Sequence, residues 1–206
     1  MTKSHQAIVL ACLLSCAAHL SQACQAFRYR TPEKKDSLVV KAKTLLAHED
    51  IEQALQEFRK LTKLEPKNHE GYLGIADCLY FQGDYLKAMD AANTAISLNP
   101  QASEPYRRRG KINEKLHLAD AAIEEYSKAI SLSPTTAIYL SDRSDVYYKK
   151  GELKKALADL DKYLNLVKRP NPMIFYTRSI IYTKLGKKAQ AEVERKRADN
   201  IIDGAY

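Results

Sequence analysis

Glycine and proline are scarce, with seven of each in 206 residues. That leaves few punctuators for the many turns that a sandwich or barrel of short strands requires, so composition favours a helical chain. Cysteine is scarcer still. Cys12, Cys16 and Cys24 stand near the N-terminus and Cys78 alone follows. A chain that loses its first 26 residues keeps one thiol and cannot form an internal disulfide. Acidic residues are absent from those first 26 positions. There is no Gly-rich phosphate loop, no His pair at helical metal spacing, and no Ser or Cys beside a plausible base, which excludes the common enzyme signatures and any implied cofactor or metal. What is present, 45% hydrophobic and 28% charged residues, excludes disorder and describes a chain that folds.

The N-terminus reads as a secretory leader: Lys3 and His5 precede an apolar run from Ala7 to Ala18. That run is too short for a membrane span, which needs roughly 20 residues. Cleavage is compatible with a start at Cys24 or at Phe27, and the second is preferred. Leu13, Leu14, Ser15 and Cys16 also resemble a lipid-attachment box, which would tether the chain through Cys16. The expectation is an exported protein, periplasmic, secreted or in the ER lumen, with N-terminal membrane anchoring as the alternative. Residues 1–26 are assigned to the leader and 27–34 to a linker.

Beyond the leader, Pro66, Pro100 and Pro134 are spaced by 34 residues. Ala54, Ala88, Ala122 and Ala156 keep the same step, as do Phe58, Ala92, Tyr126 and Leu160. The column Leu45, Leu79, Asn113 and Tyr147 has one polar intruder, Asn113. Each copy reads as two amphipathic helices, in the second copy near Tyr72 to Phe81 and Tyr85 to Leu98, joined by a turn at Gly83 and Asp84. Alanines allow the paired helices to approach closely, and the prolines end the second helix.

This pattern resembles the tetratricopeptide repeat (TPR) family. The second copy carries Tyr72, Ile75, Ala76, Leu79, Gly83, Asp84, Tyr85, Ala88, Ala95 and Pro100 at the family's signature positions. The resemblance implies an all-α, right-handed α-solenoid over residues 35–206. Its repeats are 35–68, 69–102, 103–136, 137–170 and a degenerate fifth at 172–205, after a one-residue slip at Arg169 to Pro172. Arg195 on the last helix suits a terminal cap facing water.

The resemblance also implies a concave wall lined by first helices, which in this family holds an extended peptide or a helix of a partner. Arg107, Arg108, Lys111 and Lys115 form a basic strip there, expected to engage a carboxylate-bearing segment. Tyr80, Phe81, Tyr148 and Tyr176 are expected to pack on its apolar side chains. Arg109, Arg143 and Arg178 recur at the seventh position of successive first helices and are assigned to packing. Seven tyrosines, Tyr72, Tyr85, Tyr106, Tyr126, Tyr147, Tyr163 and Tyr182, fall in core columns. Paired acids such as Glu124 with Glu125, or Asp159 with Asp161, are read as solvent-facing charge. The family's carboxylate clamp for chaperone tails is not matched, since only Arg108 fits among Val39, Lys43, Gly74, Glu104 and Arg108.

The functional expectation is therefore a non-catalytic interaction scaffold or adaptor whose partner is another protein, with no small-molecule substrate. The alternative is a basic surface adhering to an anionic envelope, membrane or nucleic-acid polymer, motivated by a net charge of +8, or +7 without Lys3. Nucleic acid is disfavoured because an exported chain rarely meets it. Cys78 is expected to be a core residue.

Overall fold

The computed structural model describes residues 32–204, with side chains from Ser37 onward. The leader, both cleavage points and Cys12, Cys16 and Cys24 lie outside the described residues. Those described form ten helices: α1 Pro32–Ala47, α2 Ile51–Leu64, α3 His69–Phe81, α4 Tyr85–Leu98, α5 Ser103–Lys115, α6 Ala119–Leu132, α7 Ala137–Lys149, α8 Leu153–Leu166, α9 Pro172–Lys184 and α10 Lys188–Ile202. Consecutive helices pair as five hairpins, and each second helix packs on the first helix of the next hairpin. The result is an all-helical solenoid. α1 begins at Pro32, inside the stretch read as linker.

One turn design repeats five times. Glu49, Gly83, His117, Gly151 and Gly186 all take a positive φ, between 60° and 83°. The next residue sends its amide back across the helix end, as from Asp84 N to Leu79 O at 3.0 Å, Leu118 N to Asn113 O at 2.8 Å and Glu152 N to Tyr147 O at 2.8 Å. This left-handed cap satisfies carbonyls that the helix terminus would otherwise strand. Second helices stop at Leu64, Leu98 and Leu132, two residues before Pro66, Pro100 and Pro134. In the fifth hairpin Asn171 accepts a hydrogen bond from Met173 N at 2.9 Å and Pro172 opens α9.

Small residues set the spacing within hairpins. Ala54, Ala88, Ala122 and Ala156 are fully buried, as are Ala42, Ala76 and Ser144 on first helices. Gly110 fills the corresponding place on α5, where an added Cβ would lie 2.7 Å from the Tyr126 ring. Gly74 likewise makes room for Phe58, whose ring would meet a Cβ at 2.3 Å. Phe58, Ala92, Tyr126 and Leu160 are buried together down one column, and each large member is stabilised by roughly 1.5–3 kcal/mol through burial. Cys78 is fully buried among them, and burial pushes its thiol up to about 12, far from nucleophilic range.

The tyrosine columns do face the core, with Tyr85, Tyr147, Tyr163 and Tyr182 packed against its clusters, but not every ring is covered. Of the seven, Tyr126 is fully buried and Tyr106 nearly so, while Tyr72, Tyr85, Tyr147, Tyr163 and Tyr182 keep one edge in water. Their hydroxyls draw them outward, because an unsatisfied phenol in the core is costly. Tyr139 was not anticipated in the core, yet it is buried with its hydroxyl bonded to Ser103 Oγ at 2.9 Å and Glu104 Oε1 at 3.0 Å. The intruder Asn113 stays buried in its column.

Candidate functional site: the inner wall

First helices lie side by side, and their side chains join across about one repeat of sequence. Lys43 reaches Glu70 at 3.2 Å from α1 to α3, and Arg108 on α5 contacts Asp77 on α3. Arg107 Nε donates to Asp142 Oδ2 at 2.5 Å, and Lys149 on α7 meets Glu114 at 2.7 Å. Lys184 on α9 stands 4.5 Å above the Tyr148 ring. These contacts build a continuous wall from α1, α3, α5, α7 and α9.

Most of the expected basic strip is neutralised from within. Arg107 and Lys111 converge on Asp142, the latter at 3.3 Å, and Arg108 is committed to Asp77. Lys115 is exposed at the end of α5, with no side-chain ion pair or hydrogen bond among the described residues. Thus the strip is alternating charge carried by neighbouring helices, not a run of free cations. Spacing near one repeat is the signal that would have revealed it, since Arg108 and Asp77 are 31 residues apart and Arg107 and Asp142 are 35 apart.

The aromatic residues divide. Tyr80 and Phe81 meet edge-on at 5.6 Å, and the Arg108 guanidinium covers both, at 5.2 and 6.0 Å. Phe81 remains 58% exposed. Tyr148 sits under Lys184 on the other half of the wall, and Tyr176 donates its hydroxyl to Asp199 of α10 at 2.5 Å. Arg108, Tyr80 and Phe81 therefore form one cluster, while Tyr148 and Tyr176 belong to α7 and α9.

Asp77 is the most perturbed acid on the wall. Burial raises its carboxyl to about 6, and Arg108 opposes the rise without cancelling it. The contact is close but poorly aligned: Asp77 Oδ1 and Arg108 Nε are buried without a well-directed hydrogen bond. Asp145, one turn beyond Asp142, is also raised, chiefly by burial, with Lys149 opposing and Asp142 and Glu114 reinforcing.

The seventh-position arginines do different work. Arg143 Nε and Nη2 bond both oxygens of Asp159, at 2.8 and 2.7 Å, and Nη1 reaches back to Ser127 at 2.8 Å. Arg109 joins Glu125 and Asn93, and Arg178 joins Glu194 and Asp161. Each arginine thus clips its own second helix to the preceding one. This corrects the reading of Glu125 and Asp159 as solvent-facing charge, Asp159 being only 3% exposed, while Asp161 and Glu124 do face water as expected. Lys41 with Glu57 repeats the pair in the first hairpin, and Ile75 with buried Ala91 replaces it by apolar packing in the second.

Among the described residues there is no cluster of His, Cys, Asp or Glu set to hold a metal ion, and no helix long and apolar enough to cross a membrane.

Residues 39–103 and 104–136 match two family models, each described as tetratricopeptide repeat. Human General transcription factor 3C polypeptide 3 is 26% identical over 179 residues, covering 87% of this chain and 20% of that protein. The chain therefore spans about a fifth of the length of this relative. The crystal structure of MamA shares the fold with a TM-score of 0.69 at 22% identity, covering 80% of this chain and 97% of that one. YrrB, described as a TPR protein with an unusual peptide-binding site, has a TM-score of 0.62 at 18% identity, covering 80% and 84%.

Proposed function

Because the chain carries tetratricopeptide repeats, whose proteins act as protein-interaction scaffolds, we propose that it is a non-catalytic adaptor that holds a segment of another protein against its inner wall. The observation carrying this reading is that large apolar side chains stay exposed along the first helices. Val40, Phe81, Ile138, Met173 and Ile180 face water there; Leu64, Leu86, Leu166, Val193 and Ile202 do so on second helices, and what sets the first group apart is its place on the helices joined across repeats by the wall contacts. Tyr80, Phe81, Tyr148 and Tyr176 supply rigid aromatic contact area. Arg107, Arg108 and Lys111 meet a guest carboxylate only by sharing it with Asp142 or Asp77, which leaves Lys115 as the unshared cation of the strip. The leader adds an exported address to this reading, with Phe27 as the mature start.

Affinity capture with the full chain, read by mass spectrometry, tests the wall. Phe81→Asp and Tyr148→Asp should each abolish recovery of the partner, while Lys162→Glu on the exposed side of α8 should not. Recovery indifferent to both wall substitutions removes the reading. The mass of the chain recovered from cells tests the address: a start at Phe27 or Cys24, or a lipidated Cys16, supports export, and an intact Met1 overturns it.

A further inference from the structure

The two halves of the inner wall differ in what they leave unmatched. On α5 the cations are consumed: Arg107 and Lys111 by Asp142, Arg108 by Asp77. One turn past Asp142, Asp145 has no ion pair or hydrogen bond of its own among the described residues. Both cations that face it are committed elsewhere, Lys111 to Asp142 and Lys149 to Glu114 at 2.7 Å. The remaining charged neighbours, Asp142 and Glu114, are acids that repel its charge. Asp145 is partly enclosed by the helices around it, which is what raises its carboxyl, but the residue keeps a side open to solvent where a guest can reach it.

The same half of the wall also carries uncovered apolar side chains. Ile138 lies two turns before Asp145 on the same helix, 42% exposed. Met173 and Ile180 occupy on α9 the positions that Ile138 and Asp145 occupy on α7, and are 59% and 50% exposed. Lys184 over Tyr148 shows that the two helices run side by side at this end. An acid with no ion pair of its own, on a half of the wall that also exposes aliphatic side chains, is complementary to a cation carried among apolar residues.

We propose that the α7–α9 half of the wall binds a partner segment in which Lys or Arg is flanked by apolar residues, the basic side chain pairing with Asp145 and its neighbours covering Ile138, Met173 and Ile180. This rests on the inner wall being the binding surface and fixes the guest's charge there as positive, the reverse of what the basic strip alone implies.

Two series of labelled twelve-residue peptides distinguish the possibilities, with the same randomised apolar frame and either Lys/Arg or Asp/Glu at two central positions. Binding to the full chain is followed by fluorescence anisotropy. Cationic peptides should bind better than acidic ones, and their binding should weaken as salt is raised. Asp145→Lys should lower their affinity at least about tenfold, Asp145→Asn by less, and Ile180→Asp also about tenfold. Lys162→Glu, on the exposed side of α8, should change nothing. Each substituted side chain is exposed, and circular dichroism checks that each variant stays helical. If only acidic peptides bind, and Lys115→Ala weakens them, the inference fails while the wall remains the binding surface. Cationic binding unchanged by Asp145→Lys, Asp145→Asn and Ile180→Asp also overturns it. If neither series binds the unsubstituted chain, both the inference and the wall reading fall.

Discussion

Arg107, Arg108 and Arg109 are consecutive on α5, yet they belong to two different charge systems. Arg109 repeats one period later as Arg143 and again as Arg178, each joined to an acid 16 residues on, in Glu125, Asp159 and Glu194. Arg107 and Arg108 do not repeat: their column mates are Leu73 and Ser141, and Gly74 and Asp142. A column that keeps its chemistry from copy to copy serves contacts every copy must make. A column that changes serves a contact peculiar to one copy: Arg108 reaches Asp77, whereas Gly74 in the same column makes room for Phe58. The same side chain one residue apart is scaffold in one case and surface in the other.

The largest test of that distinction removes one partner from the recurring pair. Arg143→Ala leaves Asp159 buried and unpaired, which should cost about 3–5 kcal/mol in chemical denaturation. The double change Arg143→Ile with Asp159→Ala copies the Ile75 and Ala91 solution already present in the second hairpin and should cost much less than either single change. Equal losses from the single and double variants would show that the arginine works through its methylene stem rather than its charge.

Asp77 gives the next largest effect, through pH. Its carboxyl is raised to about 6 in the folded chain, against about 3.9 in an unfolded one. The folded state therefore holds the proton more tightly, and stability from this group is full below the unfolded value and lost as pH rises through 6. Thermal unfolding at pH 4, 5, 6 and 7 should show the native chain losing ground to Asp77→Asn across that window, by on the order of 1–3 kcal/mol in total. A native chain that gains on the variant as pH rises would mean that pairing with Arg108 outweighs burial.

A surface-column arginine should matter less to folding than its scaffold neighbour. Arg107→Ala leaves Asp142 still served by Lys111 at 3.3 Å, so the loss should be about 1 kcal/mol, well below that of Arg143→Ala. Urea midpoints of the two variants, compared at equal m-value, decide it. Equal midpoints would erase the division between the two systems.

How much of this was legible beforehand follows the same line. The period of 34, the buried alanines and the proline stops set the hairpins and their order, because each of those residues acts locally within its own copy. The structural role of Arg109, Arg143 and Arg178 was legible for the same reason. The pairing of Arg107 with Asp142 and of Arg108 with Asp77 was not. It depends on which neighbouring helix each side chain leans toward, and reading one helix at a time shows only a basic strip. Asp159 was misjudged because an acid on a second helix looks solvent-facing until the arginine opposite is placed.

The smallest effect concerns the turn column, in which two of the five copies depart from glycine. Gly83, Gly151 and Gly186 take the left-handed turn at no steric cost, but His117 takes it at φ 60° and Glu49 at 63°. A side chain there crowds its own backbone, and histidine bears this less easily than glycine. His117→Gly relieves that strain but also loosens the unfolded chain, which partly offsets the gain. The net expectation is a stabilisation of about 0.5–1 kcal/mol, seen as a higher midpoint with an unchanged m-value. His117→Val should move the midpoint the other way, since a β-branched residue tolerates this backbone least. Were glycine to destabilise, the His117 ring would be making a contact that its exposure conceals, and the turn column would belong with the surface rather than the scaffold.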